Sequence, residues 1–299
     1  MLSGKIALII GASRGIGAGI ARELAAQDAH VILAARTLDE ADGPRFGPNG
    51  PKIPGSLNKQ VFAIRSAGGK ASAHPVDLLD HYSIKQLIDR VSRDHGKIDL
   101  LVNCAMGFPD RYSGSILDHH DSHWNAMMEV GVRGKYLAIH EVAKIMVPQN
   151  VGLIVNISAG ASKINYYHPL FRMAMAAVDR LTEATAFDLK DTGVSCLSIW
   201  PRWVRTEWML MANDNSDLGI EVSETDLGES DSPEFTGRAI ACLATDPKIA
   251  SRSGQTLPLL ALAHEYGFVD VDGTRPQMDT FSSDWSARLR DIKTILDVD

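Results

Sequence analysis

A short glycine-rich turn directly after an apolar segment most tightly constrains how this chain can fold. The segment Lys5–Ile10 has the character of a buried strand, and it is followed by Gly11-Ala12-Ser13-Arg14-Gly15-Ile16-Gly17 and an amphipathic stretch over Gly15–Gln27. Glycines lack a β-carbon, so backbone amides can approach an anionic group closely, and the first turn of a helix adds unpaired N–H groups and a positive dipole end. The sequence therefore predicts a strand–turn–helix unit that binds a pyrophosphate.

Short apolar runs alternate with longer amphipathic stretches along the rest of the chain. Further strands are predicted at Val31–Ala35, Ala71–Val76, Leu100–Asn103, Gly152–Ile157 and Val194–Trp200, and helices at Ser83–Asp94, near Trp124–Val147 and near Pro169–Lys190. The strands are continuously apolar rather than alternating, which is typical of a parallel sheet covered on both faces. We therefore expect a single α/β domain over residues 1–299, Rossmann-like and doubly wound, with helices on both faces of a parallel sheet.

Two segments interrupt this alternation. Residues 42–55 hold four glycines and four prolines and are predicted to form a loop, because proline breaks helices and removes ladder donors. Residues 213–234 carry eight carboxylates. This acidic stretch belongs to a predicted insertion at 207–232. The insertion is interpreted either as a lid over a site or as a solvated surface insertion. Ser232-Pro233-Glu234 predicts a helix start, and a C-terminal extension is expected from about residue 262 to residue 299.

Composition and charge argue against several classes of function. The net charge of −7 gives no reason to expect a nucleic-acid or membrane-surface partner. Three cysteines are too few and too far apart for a disulfide framework or a zinc site, so no metal and a reducing compartment are expected. No apolar run reaches the roughly 18 residues of a membrane span, and the first residues lead straight into a strand without room for a signal peptide. A cytoplasmic protein is expected.

The end of the second predicted strand indicates which dinucleotide the glycine turn binds. NAD sites usually place an acidic residue there for the ribose 2′-hydroxyl, whereas this strand ends in Ala35-Arg36-Thr37. Arg14 adds a second guanidinium inside the turn. Arginine binds phosphate through charge-assisted, often bidentate hydrogen bonds, so two cations without an anion suit a 2′-phosphate. Both arginines could instead be surface charges, but their placement at two separate positions near the ribose favours NADP(H).

Further cofactor-binding residues are expected at the carboxyl ends of other strands, because ligands of such sheets bind along that edge. They are Asp77 and Leu78 after the third strand, Asn103 and Ala105 at the end of the fourth, and Pro201, Val204 and Thr206 after the sixth. A carboxylate can accept from the adenine amino group, small residues let the cofactor lie close, and a hydroxyl can hold the nicotinamide amide. Together these residues predict one continuous pocket.

These motifs resemble the short-chain dehydrogenase/reductase family over nearly the whole chain. The glycine turn resembles the first motif of that family, Asn103-Cys104-Ala105-Met106 resembles a changed Asn-Asn-Ala-Gly, and Pro201 to Thr206 resembles Pro-Gly-x-Val-x-Thr. The C-terminal third, including Ala244-Thr245-Asp246-Pro247, is similar to a narrower group within the family. The resemblance implies the family fold, a nicotinamide-dependent oxidoreductase activity, and a homodimer or homotetramer.

The catalytic residues of the family carry over only in part. Its serine matches Ser158, thirteen residues before Phe171, but Phe171 stands in the tyrosine position, Met175 in the lysine position and Gly131 in the asparagine position. In the family mechanism the tyrosine hydroxyl donates or accepts the proton that balances hydride transfer, and the lysine lowers the pKa of that tyrosine. General acid–base catalysis of this kind is worth about 10²–10⁴-fold in rate. Phe171 and Met175 lie four residues apart on one helix face, so we expect a dry, apolar pocket floor.

A substitute proton donor is sought at Ser158 and in Tyr166-Tyr167-His168, with Tyr167 as the candidate; loop aromatics over a cleft are the simpler interpretation. Three functions remain open. They are an atypical NADP(H)-dependent oxidoreductase, an NADP(H)-binding pseudoenzyme that acts as a sensor or partner scaffold, and a non-redox lyase or isomerase. Trp203 and the run Trp208 to Met211 favour a small-to-medium hydrophobic substrate, although the run equally suits an oligomer contact.

Overall fold

The computed structural model describes residues 1–45, 50–107, 115–117, 120–160, 168–213 and 227–276. Within these ranges seven strands form one sheet: β1 (Ile6–Ile10), β2 (His30–Ala35), β3 (Lys70–Pro75), β4 (Leu100–Asn103), β5 (Gly152–Ile157), β6 (Val194–Trp200) and β7 (Thr256–Pro258). Every neighbouring pair is parallel, and the order is β3-β2-β1-β4-β5-β6-β7. The strand order changes direction between β1 and β4, so the predicted doubly wound α/β fold is confirmed.

Helices cover both faces of the sheet. They are α1 (Gly15–Ala26), α2 (Leu57–Ser66), α3 (His81–His95), α4 (Asp121–Trp124), α5 (Gly134–Gln149), α6 (Pro169–Asp188), α7 (Glu207–Asn213), α8 (Pro233–Thr245) and α9 (Leu259–Tyr266). A π-helical segment, Asn125–Arg133, joins α4 to α5, and 3₁₀ turns lie at Glu40–Asp42 and Ile249–Arg252. No helix in the described ranges is long and apolar enough to cross a membrane.

Two apolar layers hold the helices to the sheet. Successive strand side chains point to opposite faces, so Ala7 and Ile9 of β1 pack with α1, α2, α8 and α9, whereas Leu8 and Ile10 pack with α3 and α5. All four side chains are buried. This burial on both faces explains why β1 is apolar at every position rather than at alternate ones.

Helix α2, strand β7 and helix α9 are among the elements that were not predicted from the sequence. Helix α2 follows the Gly/Pro-rich loop, is capped by Ser56, whose hydroxyl accepts from the Lys59 amide at 3.2 Å, and buries Leu57, Val61 and Ile64. This apolar spacing was a readable helix signal. Strand β7 has only three residues and ends in a proline, and α9 follows it directly. The predicted start of the C-terminal extension, at about residue 262, falls inside α9.

A buried ion pair joins the loop after β6 to the segment before α8. The Arg202 guanidinium donates to both carboxylate oxygens of Asp231, at 3.1 and 2.5 Å, and Asp231 is 1% exposed. Burial raises the pKa of Asp231, and Arg202 opposes that rise. Backbone hydrogen bonds from Asp231 to Trp203 and from Arg205 to Asp231, both 2.8 Å, reinforce the connection. The two ends of the acidic insertion are therefore held together.

Ser232, next to Asp231, caps α8 as predicted: its hydroxyl accepts a hydrogen bond from the Phe235 amide at 3.2 Å.

Candidate functional site

A cavity of about 580 Å³ opens over the carboxyl edge of the sheet, where β1 to β4 end. This is the edge and the size expected for a small-molecule site in such a fold. Twelve predicted cofactor residues line it: Gly11, Ser13, Arg14, Gly15, Ile16, Gly17, Arg36, Thr37, Asp77, Leu78, Ala105 and Thr206. The structure thus brings together residues from the glycine turn and from the ends of four further strands.

The glycine turn is packed so closely that side chains cannot replace its hydrogens. Gly11 has a φ of +97°, and a β-carbon there would lie 2.5 Å from the amide nitrogen of Ala105. A β-carbon on Gly17 would lie 2.2 Å from the carbonyl oxygen of Gly11. The turn therefore rests against the end of β4 on one side and on its own backbone on the other. The residues of the turn line the cavity, and the lack of side chains on its glycines lets a phosphate approach the backbone closely.

The two arginines have different environments. Arg14 donates from Nε to the carbonyl of Pro54 at 2.9 Å and from Nη2 to that of Gly55 at 2.5 Å, so it ties the Gly/Pro-rich loop to the glycine turn. Burial lowers the pKa of Arg14, the carboxylate of Glu207 opposes this, and the nearby Arg36 adds to it. Arg36 is exposed and lines the cavity at the end of β2. Arg36 is thus the better placed of the two for a 2′-phosphate.

A carboxylate lies at the N-terminus of α1. Oε2 of Glu207 accepts a hydrogen bond from the Gly15 amide at 2.8 Å, and Glu207 lines the cavity. Glu207 is the first residue of α7. This helix also packs against the Gly/Pro-rich loop, since Trp208 and Met211 contact Ile53. The negative charge therefore occupies one of the amides that an anionic ligand would use. Sequence reasoning missed this residue, although an acid directly after Thr206 was its visible signal.

The predicted catalytic positions lie away from the cavity wall. Ser158 is buried at the end of β5, and its hydroxyl donates to the carbonyl of Met175 at 3.2 Å. Met175 is 1% exposed and packs in an apolar cluster with Met127, Ala174 and Phe171. None of Ser158, Phe171, Met175 and Gly131 lines the cavity. Tyr167 lies outside the described residues.

Gly131 is in the π-helical segment, a type of helix distortion that is frequent at functional sites. A β-carbon there would lie 3.5 Å from the carbonyl oxygen of Ala126, an ordinary contact distance. The backbone at this position therefore has room for a side chain.

Two buried imidazoles adjoin the apolar cluster. Nδ1 of His168 accepts from the Leu170 amide at 3.2 Å and thereby caps α6, and its ring lies 4.6 Å from that of His123. Sequence reasoning named His168 but not His123. Ser122 and Asn125, on either side of His123 and Trp124, line the cavity. The histidine pair therefore joins a segment that lines the cavity to the start of the helix that carries Phe171.

Three predicted cofactor residues have structural contacts instead of cavity contacts. Asn103 donates to Oδ1 of Asn156 at 2.9 Å, and Asn156 donates to the hydroxyl of Thr182 at 2.9 Å. This buried chain of amides links β4, β5 and α6. Val204 is buried and pairs with Asp231 through a short parallel bridge, and Pro201 starts the same loop. Their direct contact with a cofactor stays a prediction.

The chain matches family models over most of its length. The model described as Enoyl-(Acyl carrier protein) reductase matches residues 52–258, and the short chain dehydrogenase model matches residues 5–44. Dehydrogenase/reductase SDR family member 1 from Mus musculus is 33% identical over 290 residues, which cover 94% of this chain and 87% of the relative. This chain belongs to the short-chain dehydrogenase/reductase family. The human protein of the same name is also 33% identical, over 296 residues, with the same coverage.

Solved structures of the family share the fold. A metagenomic short-chain oxidoreductase in complex with NADP superposes with a TM-score of 0.64 at 28% identity, covering 82% of this chain and 92% of that one. A variant of actinorhodin polyketide ketoreductase with NADPH superposes with a TM-score of 0.71 at 24% identity, covering 86% and 97%. The parallel sheet and the surrounding helices are thus those of the short-chain dehydrogenases.

Proposed function

We propose that this protein is an NADP(H)-dependent oxidoreductase with an atypical active site, which transfers hydride to or from a small-to-medium hydrophobic substrate. This proposal rests on the cavity at the carboxyl edge of the sheet, which is lined by both the closely packed glycine turn and Arg36. The turn amides would hold the pyrophosphate, Arg36 the 2′-phosphate and Asp77 the adenine end. A related oxidoreductase solved with NADP, at 28% identity, supports the same cofactor.

The apolar cluster around Phe171 and Met175 decides which reactions suit this chain. When bound, the nicotinamide supplies or accepts the hydride. Phe171 has no proton to give, and the hydroxyl of Ser158 is engaged with the Met175 carbonyl. The cluster reaches the cavity through Ala126 and Met106, where it would exclude water and favour apolar substrate surface. Substrates whose reduction needs little general-acid help, such as conjugated or iminium-like electrophiles, therefore fit best.

Two assays of the purified protein test this proposal. Fluorescence titration with NADPH measures binding, and NADPH consumption with a panel of ketones, enones and imines measures hydride transfer. We expect binding at micromolar or lower concentration and turnover of at least one conjugated or iminium-like compound. Binding without turnover above the buffer rate across the whole panel contradicts an oxidoreductase.

An NADP(H)-binding pseudoenzyme is the second candidate, and one observation favours it: Ser158, Phe171, Met175 and Gly131 all lie outside the cavity lining. Such a protein would hold the cofactor as a redox sensor or as a scaffold for a partner. It predicts tight binding without chemistry, so enzyme-like turnover of any substrate eliminates it.

Glu207→Gln is expected to bind NADPH about three- to tenfold more tightly than the unaltered protein. The substitution removes a negative charge from the α1 amide that the pyrophosphate would occupy, and a charge near a helix N-terminus is worth roughly 0.3–1 kcal/mol or more. Titration of both proteins at low salt measures the difference. Glu183→Gln, on the exposed face of α6, is the matched control and should leave affinity unchanged. Equal affinity of Glu207→Gln and unaltered protein would mean that the carboxylate does not compete with the cofactor.

The remaining expectations concern assembly and location. We propose a homodimer or homotetramer that acts in the cytoplasm, on the basis of the family resemblance and the composition. Sedimentation of the purified chain tests the first, and a tagged full-length chain viewed in its native cell tests the second.

A further inference from the structure

One lysine is buried beside the cavity without taking part in the proposed reaction. Lys135, near the start of α5, is 1% exposed, and its Nζ donates to the carbonyl of Ala105 at 2.7 Å. An ammonium group carries three N–H donors, and an unpaired charge in an apolar interior is costly. Leucine or methionine would fill the same volume without that cost. Packing alone therefore gives no reason for a lysine here.

The charge of Lys135 has no carboxylate to balance it among the described residues. The titratable group that acts on it is the Cys104 thiol at the end of β4, and burial raises the pKa of that thiol to about 11, so it is neutral near pH 7. Burial lowers the pKa of Lys135 to about 8. The side chain thus carries a largely uncompensated positive charge at neutral pH.

The ammonium lies directly behind the phosphate-binding turn. Cys104 and Ala105 line the cavity, and the sulfur of Cys104 accepts from the Gly17 amide. The Ala105 backbone packs so closely on Gly11 that a β-carbon there would lie 2.5 Å from its nitrogen. A single layer of backbone therefore separates the Lys135 charge from the glycine turn. A dinucleotide bound in the cavity would bring several negative charges to the other side of this layer.

We propose that Lys135 is a positioning residue for the dinucleotide: it holds the end of β4 against the glycine turn and provides, from beneath the turn, the positive charge that attracts the phosphates. This inference deepens the proposed function and rests on it. It also assigns a buried cation to a chain in which Met175 occupies the position of the family's catalytic lysine.

The linkage between protonation and binding follows from the charges. Phosphates near Lys135 raise its pKa above the value of about 8 in the free protein, so the complex binds the proton more tightly than the free protein does. Affinity for NADPH is then highest below pH 8 and falls as the pH rises through 8 towards the raised pKa of the complex. One unit of pKa change corresponds to a tenfold change in affinity.

Lys135→Met tests the proposal. Between pH 7.5 and 9.5 the affinity of the unaltered protein for NADPH should fall by about three- to tenfold. The variant should bind about three- to tenfold more weakly at pH 7.5 and lose most of this pH dependence. Lys190→Met, in the exposed turn that follows α6, is the matched control and should behave like the unaltered protein. A Lys135→Met protein with unchanged affinity and an unchanged pH profile overturns the proposal.

A measurement on the unaltered protein covers the case in which Lys135→Met does not fold. Titration calorimetry with NADPH at pH 8.5, in two buffers of different ionisation enthalpy, should show proton uptake on binding, and no uptake overturns the inference. Failure of the unaltered protein to bind NADPH at any pH would instead refute the proposed function on which the inference rests.

Discussion

The double variant Phe171→Tyr with Met175→Lys is expected to reduce ketones about 10²–10⁴ times faster than the unaltered protein, which is the usual contribution of a positioned general acid. The tyrosine restores a hydroxyl on a ring of the same shape. The lysine restores a cation one helical turn away, where the Met175 sulfur now lies 4.0 Å from the Ser158 hydroxyl. Initial rates of NADPH oxidation with a ketone panel measure the gain.

The single variants separate the two contributions. Phe171→Tyr alone should gain less, because Met175 carries no charge that could lower the pKa of the new hydroxyl, and Met175→Lys alone should gain nothing. The lysine replaces a side chain that is 1% exposed within an apolar cluster, so the variants carrying it should melt at lower temperature. A folded double variant that binds NADPH yet reduces no ketone would place the reacting carbonyl elsewhere than over Phe171.

Arg36→Ala is expected to weaken NADPH binding by about 10–100-fold while leaving NADH binding within a few-fold. Hydrogen bonds to charged groups contribute roughly 1.5–3 kcal/mol, and about 1.4 kcal/mol corresponds to a factor of ten. Arg36 is preferable to Arg14 for this test, because Arg14 also holds the carbonyls of Pro54 and Gly55. Parallel titrations with the two cofactors measure the selectivity.

Arg36→Asp should reverse the preference further, since a carboxylate at the end of β2 suits a ribose 2′-hydroxyl and repels a 2′-phosphate. Arg93→Ala, at the exposed end of α3, removes the same charge far from the turn and serves as the control. An unaltered ratio of NADPH to NADH affinity in both Arg36 variants would contradict the assignment of NADP(H) through this residue.

The sheet could be predicted from the sequence because its strands are buried on both faces. β1, β4, β5 and β6 are largely apolar and buried at every position, and their boundaries follow the prediction closely. The turn after β1 is marked by glycines that the backbone contacts require. β7 carries no comparable signal, since it is a three-residue edge strand whose conformation depends on its pairing with β6. Local pattern was therefore sufficient for the centre of the fold and insufficient for its edge.

The cofactor half of the site was predictable for the same reason, and the rest was not. Gly11, Arg36 and Asp77 each follow a strand, so knowing the strands is enough to bring them to one edge. Glu207 meets the Gly15 amide across 192 positions of sequence, and Lys135 meets Ala105 across 30, by contacts that only the packed chain creates. Both are charged residues whose function depends on the burial and partners that tertiary structure gives them.

The pairing of Arg202 with Asp231 has a consequence for how this site can be altered. Arg202 lies just before the insertion and Asp231 lies at its end, so their contacts close the base of the insertion between β6 and α8. Doubling the length of such a closed loop costs only about 0.6 kcal/mol of chain entropy. Lengthening or shortening the chain between Arg202 and Asp231 should therefore cost the sheet little stability.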